Sequence, residues 1–227
     1  MTGQSHGGRM PKNTFFNLPE EKRELILNLA IEEFAEKDFK NASISNLVAR
    51  AGIAKGSFYQ YFEDKRDLYL YLIQLAGEEK KRFLEQKSPP DPNMNLFDFL
   101  RWAIHEGAQF EFSNPLLAKV SARALFSDRP LGDSPFEQLQ TIVKAYYQGL
   151  VQLGKAQGVI REDLDDDMVA FLLSTIFNNF GKYILDRNQI DAKELEQGAF
   201  DYRSIQMKDQ TNQLIDILQN GLTPEKQ

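Results

Sequence analysis

Apolar side chains recur at intervals of three and four residues along almost the whole chain, and no stretch alternates apolar and polar residues over a useful length. No Asn-Gly or Asp-Gly turn joins two alternating stretches. A strand hides every second residue, whereas a helix hides one stripe, so this spacing restricts the chain to helices. The reading is an all-α protein of about nine helices. A chain of 227 residues is long enough for a small helical domain joined to a larger one.

Local signals place the helices. Residues 1–18 read as a leader. Its first part, MTGQSHGGR, lacks the apolar centre of a signal peptide and is expected to be an appended remnant before a start at Met10. The first helix is predicted over 19–37, with Ile26, Leu29, Ala30 and Phe34 on one face. Ser43 caps a second, whose Ile44, Leu47, Val48 and Ala51 share a face, and Gly52 ends it. A short third covers 55–62. Asp64 caps a long fourth reaching about residue 86, with Asp67 in its positive first turn. Three prolines, Pro89, Pro90 and Pro92, then forbid helix. Further helices are predicted over 96–112, from Asn114-Pro115, from Ser134-Pro135 to about 157, over 166–186 and over 204–220. A polar segment, 187–203, precedes the last of them.

Composition removes several function classes. Without cysteine there is no disulfide, thiolate metal site or cysteine nucleophile. Only His6 and His105 remain as histidines, so no catalytic residue, metal site or cofactor is expected. The most apolar stretch, Met168–Leu185, carries Asn178, Asn179, Gly181 and Lys182 and reads as short and polar for a membrane span. A cytoplasmic protein without a membrane partner is expected. The net charge of −6 is uneven: residues 1–87 hold 14 Lys+Arg against 13 Asp+Glu, and residues 88–227 hold 13 against 20. A basic face is therefore possible only in the N-terminal part, and binding of nucleic acid depends on where charges sit rather than on their sum.

The informative stretch is SISNLVARAGIAKGSFYQYFEDK, from Ser43 to Lys65. Two short helices flank a three-residue turn that begins at Gly52, the spacing of a helix-turn-helix. Phe58 and Phe62 lie four apart and anchor the second helix inward. Its outward set, Lys55, Gly56, Ser57, Tyr59, Gln60 and Tyr61, contains no carboxylate and offers hydroxyl, amide and ammonium donors. Lys65 stands at the start of the next helix, where its ammonium and the backbone N–H groups suit a phosphate.

This stretch resembles the DNA-binding domain of the TetR family of bacterial transcriptional repressors. The match runs through Ile26, Ala30, Phe34, Ser43, Ile44, Ala49, Ala51, Gly52, Ile53, Lys55, Gly56, Ser57, Phe58, Tyr59, Tyr61, Phe62, Lys65 and Leu68. Asp38 stands where the family has glycine, and is expected to tolerate the left-handed conformation. Ala54 removes the usual cap of the recognition helix, and Gln60 replaces an aromatic or histidine. The resemblance implies phosphate contacts by Ser57, Tyr59 and Lys65, base-edge or backbone contacts by Lys55, Gly56, Gln60 and Tyr61, and a phosphate contact by Ser45. It also implies the layout: a helix-turn-helix domain over 19–65, a connecting helix and linker over 66–92, and a larger ligand-binding and dimerisation domain over 93–227.

In that family the last two helices form a four-helix dimer interface. Independently, 12 of the 18 residues from Met168 to Leu185 are apolar and surround the helix, which implies core on one side and a partner on the other. Ile176, Phe180, Ile184, Leu214, Ile217 and Leu218 are the expected seam of a homodimer. The family also holds an effector pocket, for which Trp102, His105, Gln109, Phe110, Phe126, Tyr147 and Phe177 are candidates. Such a lining would suit a small apolar or aromatic molecule. The implied function is a ligand-responsive repressor on a palindromic DNA operator. Two alternatives stay open: a DNA-binding architectural or cell-division factor with no effector, and an enzyme pairing His105 with Glu106 or Glu111.

Overall fold

The computed structural model describes residues 11–87, 91, 93–126, 134–197 and 201–222. The stretch 1–9, expected to be appended, and most of the proline-rich break lie outside these residues. Among them are eleven α-helices, one 3-10 turn and no strand. In chain order they are α1 (Asn13–Phe16), α2 (Glu20–Glu36), α3 (Ile44–Arg50), α4 (Lys55–Tyr61), α5 (Lys65–Glu85), α6 (Leu96–Ser113), α7 (Pro115–Phe126), α8 (Ser134–Ala156), α9 (Asp166–Arg187), α10 (Ala192–Glu196) and α11 (Lys208–Leu222). The expected nine are all present. The two additional short helices lie in the segment read as leader and in the polar segment, and the 3-10 turn at Tyr202–Ser204 lies at the end of the latter, where runs of three to five residues show no periodicity.

The chain forms two compact units, one of residues up to 78 with 116–130, the other of 79–115 with 131 onward. In the first unit, Ile26, Phe34, Leu47, Phe58, Phe62, Leu68, Tyr69 and Leu72 are fully buried. Each contributes about 2 kcal/mol by leaving water. Phe15 of α1 is fully buried too, its ring 4.9 Å from that of Phe62, so the first unit begins inside the segment expected to be leader. Arg123 of α7 donates from Nη1 to the carbonyl of Phe34 at 3.1 Å, which ties α7 to the end of α2.

In the second unit α6 packs against α8, α9 and α11. Leu96, Leu100, Leu173, Ile184 and Ile215 are fully buried in this core. Gly158 ends the α8 region with φ +68, and the N–H of Val159 reaches back to the carbonyl of Gly154 at 2.9 Å, the glycine-closed helix end that the sequence signals.

Candidate nucleic-acid interface

The helix-turn-helix is assembled from the backbone outward. Ser43 caps α3 by accepting from the N–H of Asn46 at 3.3 Å. Glu33 of α2 is buried beneath this cap, where it accepts from the Ser43 N–H at 2.8 Å, from Asn46 Nδ2 at 2.5 Å and from Lys37 Nζ at 2.7 Å. Burial opposes its charge, yet those three donors prevail and hold the carboxyl below its ordinary value. Gly52 adopts φ +62, and the N–H of Ile53 bonds to the carbonyl of Val48 at 3.0 Å, so the turn between α3 and α4 is a Schellman ending that only glycine closes without strain. Lys22 Nζ donates to the carbonyl of Ala51 at 2.6 Å on the same turn.

Asp38 is not in the left-handed region, against the sequence expectation; among the described non-glycine residues only Gln189 has positive φ. Its carboxylate instead accepts from the N–H of Asn41 at 2.7 Å and from Asn41 Nδ2 at 2.9 Å, replacing glycine's freedom with a side-chain-closed turn. Ala54 leaves the start of α4 without a side-chain cap, as its type dictates.

On α4, Phe58 is fully buried while Lys55, Gly56, Tyr59 and Gln60 are exposed. Ser57 and Tyr61 are half-buried, and Ser45 on α3 is exposed. A Cβ added at Gly56 would meet nothing within 4 Å, so the helix surface there is open to close approach. The face so formed is free of acidic side chains. The Lys65 ammonium, expected to meet a phosphate, also has partners within the chain. Its Nζ donates to the carbonyls of Lys40 at 3.1 Å and Ala42 at 3.0 Å and lies 4.9 Å from the centre of the Phe39 ring. Two of three ammonium protons therefore hold the loop between α2 and α3.

The expected effector residues are not gathered in one place. Trp102 and His105 line an open cleft of about 810 Å³ in the second unit, beside Asp98, Arg101, Glu106, Lys208 and Thr211. Gln109 Nε2 lies 3.2 Å from His105 Nε2. Tyr147 and Phe177 pack together at 5.9 Å against a separate cavity of about 50 Å³, with Lys80 and Glu111. Burial, Tyr146 and Glu111 push the Tyr147 phenol upward. Phe110 is buried, 5.6 Å from Phe83, and the side chain of Phe126 lies outside the described residues. The split is geometric: positions 102, 105 and 109 share one face of α6, whereas 104, 107, 108 and 111 share another. The cleft also carries charged side chains in its lining, Asp98, Arg101, Glu106 and Lys208, beside the Trp102 ring. His105 does not pair with Glu106 or Glu111 as an acid–base site requires, since Lys87 lies 3.5 Å from Glu106 and Lys80 lies 3.0 Å from Glu111.

Part of the expected dimer seam belongs to the subunit's own core. Phe180, Ile184 and Leu218 are 6%, 0% and 5% exposed, so nearly all of their surface is already taken by that core. Ile176 and Leu214 are half-buried against that core, and Ile217 alone of the set stands clear at 69%. The outward side of α9 carries Met168, Phe171, Leu172 and Tyr183 instead, with Met168 and Phe171 each 66% exposed. Apolar residues all round a helix hide which half is core; tertiary packing separates them. α9 has 22 residues and its most apolar 18-residue stretch has a mean hydropathy of 1.3, so by length and composition alone it is long and apolar enough to cross a bilayer, against the sequence reading of it as short and polar. Its outward side nevertheless carries Asn179, Lys182 and Asp186.

Sequence reasoning missed Lys12, Thr14 and Phe15 of the head; the aromatic pair Phe15-Phe16 ahead of Leu18-Pro19 was the signal that these residues fold.

A cap-and-turn frame that buries one side of a short helix and presents its other, acid-free side defines a helix-turn-helix DNA-binding protein. Residues 26–72 match the model of the bacterial regulatory proteins of the tetR family, and residues 94–223 match the tetracyclin repressor-like C-terminal domain. The chain belongs to the TetR family of bacterial regulators. It is similar to the crystal structure of a TetR family transcriptional regulator from Chloroflexus aurantiacus, with 42% identity over 96% of this chain and 100% of that one and a TM-score of 0.81. It is 25% identical to the fatty acid metabolism regulator protein of Bacillus subtilis over 183 residues, 78% of this chain and 90% of the relative. The structure of the B. subtilis regulator FadR in complex with stearoyl-CoA shares the fold, with 18% identity over 88% of this chain and 98% of that one and a TM-score of 0.59.

Proposed function

We propose that the chain is a homodimeric transcriptional repressor of the cytoplasm that binds a palindromic DNA operator and is released by a small molecule. The observation that carries this reading is the outward face of α4, acid-free and backed by a fully buried Phe58. Each α4 enters a major groove, and the two grooves lie one helical turn apart, about 34–36 Å. Ser45, Ser57, Tyr59 and the remaining proton of Lys65 serve phosphates. Lys55, Gly56, Gln60 and Tyr61 serve base edges and the adjoining backbone. The outward apolar side of α9 supports the dimer, with Ile217 of α11 as a further apolar contact.

The cleft beside Trp102 and His105 supports an effector, and its charged lining suits a molecule with polar groups and a flat or apolar part, rather than an apolar molecule throughout. The fatty acid regulator of B. subtilis makes acyl-CoA thioesters and free fatty acids the first compounds to try. A ligand that switches occupancy decisively must prefer one state by roughly 10⁴-fold, about 5.5 kcal/mol.

Trp102 is the sole tryptophan, so its fluorescence reports on the cleft directly. The test selects a duplex from a random palindromic library and then titrates acyl-CoA, fatty acids and aromatic acids while following both Trp102 emission and duplex release. Selection of a palindrome, with quenching and release by one class, is the expected result. A protein that selects no duplex sinks the DNA reading. Duplex binding that no compound reverses sinks the effector reading and favours an architectural factor.

A further inference from the structure

The recognition helix lacks the usual means of holding itself. It has seven residues and no side-chain cap at its start. A helix this short is marginal on its own, and its last carbonyls have no partner within it. Here three consecutive carbonyls of α4 are each met by the segment before and within α1. The N–H of Lys12 donates to the carbonyl of Tyr61 at 2.9 Å, and Lys12 Nζ donates to that of Tyr59 at 3.1 Å. The Thr14 hydroxyl donates to the carbonyl of Gln60. Phe15 fastens this segment down: its ring is fully buried, 4.9 Å from Phe62 and 6.1 Å from both Tyr61 and Tyr71. The ammonium of Lys12 at the negative end of α4 also suits the helix dipole.

The carbonyls so held belong to Tyr59, Gln60 and Tyr61, three residues whose side chains are assigned to DNA. We propose that Lys12, Thr14 and Phe15 are positioning residues for sequence recognition, fixing the seating of α4 so that those side chains meet the groove in one arrangement. The inference rests on the assignment of α4 as the groove-reading helix. In this arrangement the N-terminal segment supplies from outside the helix the order that Ala54 does not supply from its start. Loosening it leaves the charges of the head in place, so sequence discrimination falls while general attraction to DNA persists.

The test uses the full chain with Thr14→Val, which keeps the shape and removes the donor, and Thr14→Ser, which restores it. Amide exchange of Phe58–Phe62 is measured without DNA. Affinity is measured for the duplex selected by the wild type and for a scrambled duplex of equal composition, with thermal melting alongside. Thr14→Val is expected to speed exchange in α4 and to weaken the selected duplex about tenfold, the effect of one carbonyl left without its donor. Binding of the scrambled duplex stays at its wild-type value, the melting temperature falls only slightly for the one hydrogen bond lost, and Thr14→Ser recovers selectivity. Unchanged exchange and selectivity overturn the proposal, as does an equal loss for both duplexes in step with a lower melting temperature, which makes the segment a fold support only. A wild type that selects no duplex removes the DNA assignment itself, and the proposal with it.

Discussion

Glu33 accepts a hydrogen bond from the backbone N–H of Ser43 at 2.8 Å, so a buried carboxylate on α2 sets where α3 begins. Its carboxyl titrates below its ordinary value of 4.5 in the folded head. A depressed folded value means the stabilisation is complete above the unfolded value and is lost as pH falls through the folded one. Glu33→Gln is expected to lower stability by about 1–3 kcal/mol at neutral pH and to flatten the acid limb of the stability curve. Urea melts at pH 7 and across the range below pH 5 check both; an unchanged acid limb contradicts the assignment.

Lys65 joins electrostatics to loop geometry. Lys65→Ala should weaken binding to every duplex and reduce the salt slope by about 1 per subunit. Because the carbonyls of Lys40 and Ala42 lose their donor, the melting temperature should fall as well. A salt titration of DNA affinity beside a thermal melt separates the two roles: a lower melting temperature with an unchanged slope leaves Lys65 as a loop clamp alone.

Gln60 is exposed on α4 and its amide has the donor–acceptor pair that adenine presents at N6 and N7. Gln60→Ala is expected to relax preference at one position per half-site, with a loss of about 1–3 kcal/mol there. Single-base variants of the selected duplex, bound by both proteins, show this directly. A uniform loss across all variants would assign Gln60 to the DNA backbone.

Phe171 tests the dimer. Phe171→Asp places an unpaired charge on the outward side of α9, at a cost of several kcal/mol if that side is buried between subunits. Sedimentation should show a monomer with wild-type helix content, and binding to the palindrome should collapse while weak non-specific binding survives. Ile184→Asp should instead unfold the second unit, since Ile184 is fully buried within it. A wild type that sediments as a monomer yet binds a palindrome tightly rules out the mechanism.

Gly154 is the described glycine whose Cβ position is most crowded by neighbouring side chains. A Cβ there would lie 2.5 Å from Leu96 Cδ2 and 2.7 Å from Ile160 Cδ1. Gly154→Ala is therefore expected to destabilise this unit by about 1–3 kcal/mol through overpacking, despite the higher helix propensity of alanine. Calorimetry of wild type and variant measures it; a stabilised variant would show that Leu96 and Ile160 move aside at no cost.

The sequence by itself determined the helical class, the caps at Ser43 and Asp64, the positive-φ turn at Gly52 and the inward anchors Phe58 and Phe62. Those features depend on a residue's own chemistry and on neighbours within four or five positions, which spacing exposes. Tertiary structure decided the rest. Whether Ile184 or Phe171 faces outward depends on which elements pack against α9, and a helix apolar all round carries no mark of that. The destination of the Lys65 ammonium was set by carbonyls more than twenty residues away, at Lys40 and Ala42. The same holds for Lys12 and Thr14, whose partners lie 47 and 46 residues on, at Tyr59 and Gln60. A backbone carbonyl accepts regardless of its side chain, so nothing in the residue types records who donates to it; only the folded chain brings donor and acceptor together.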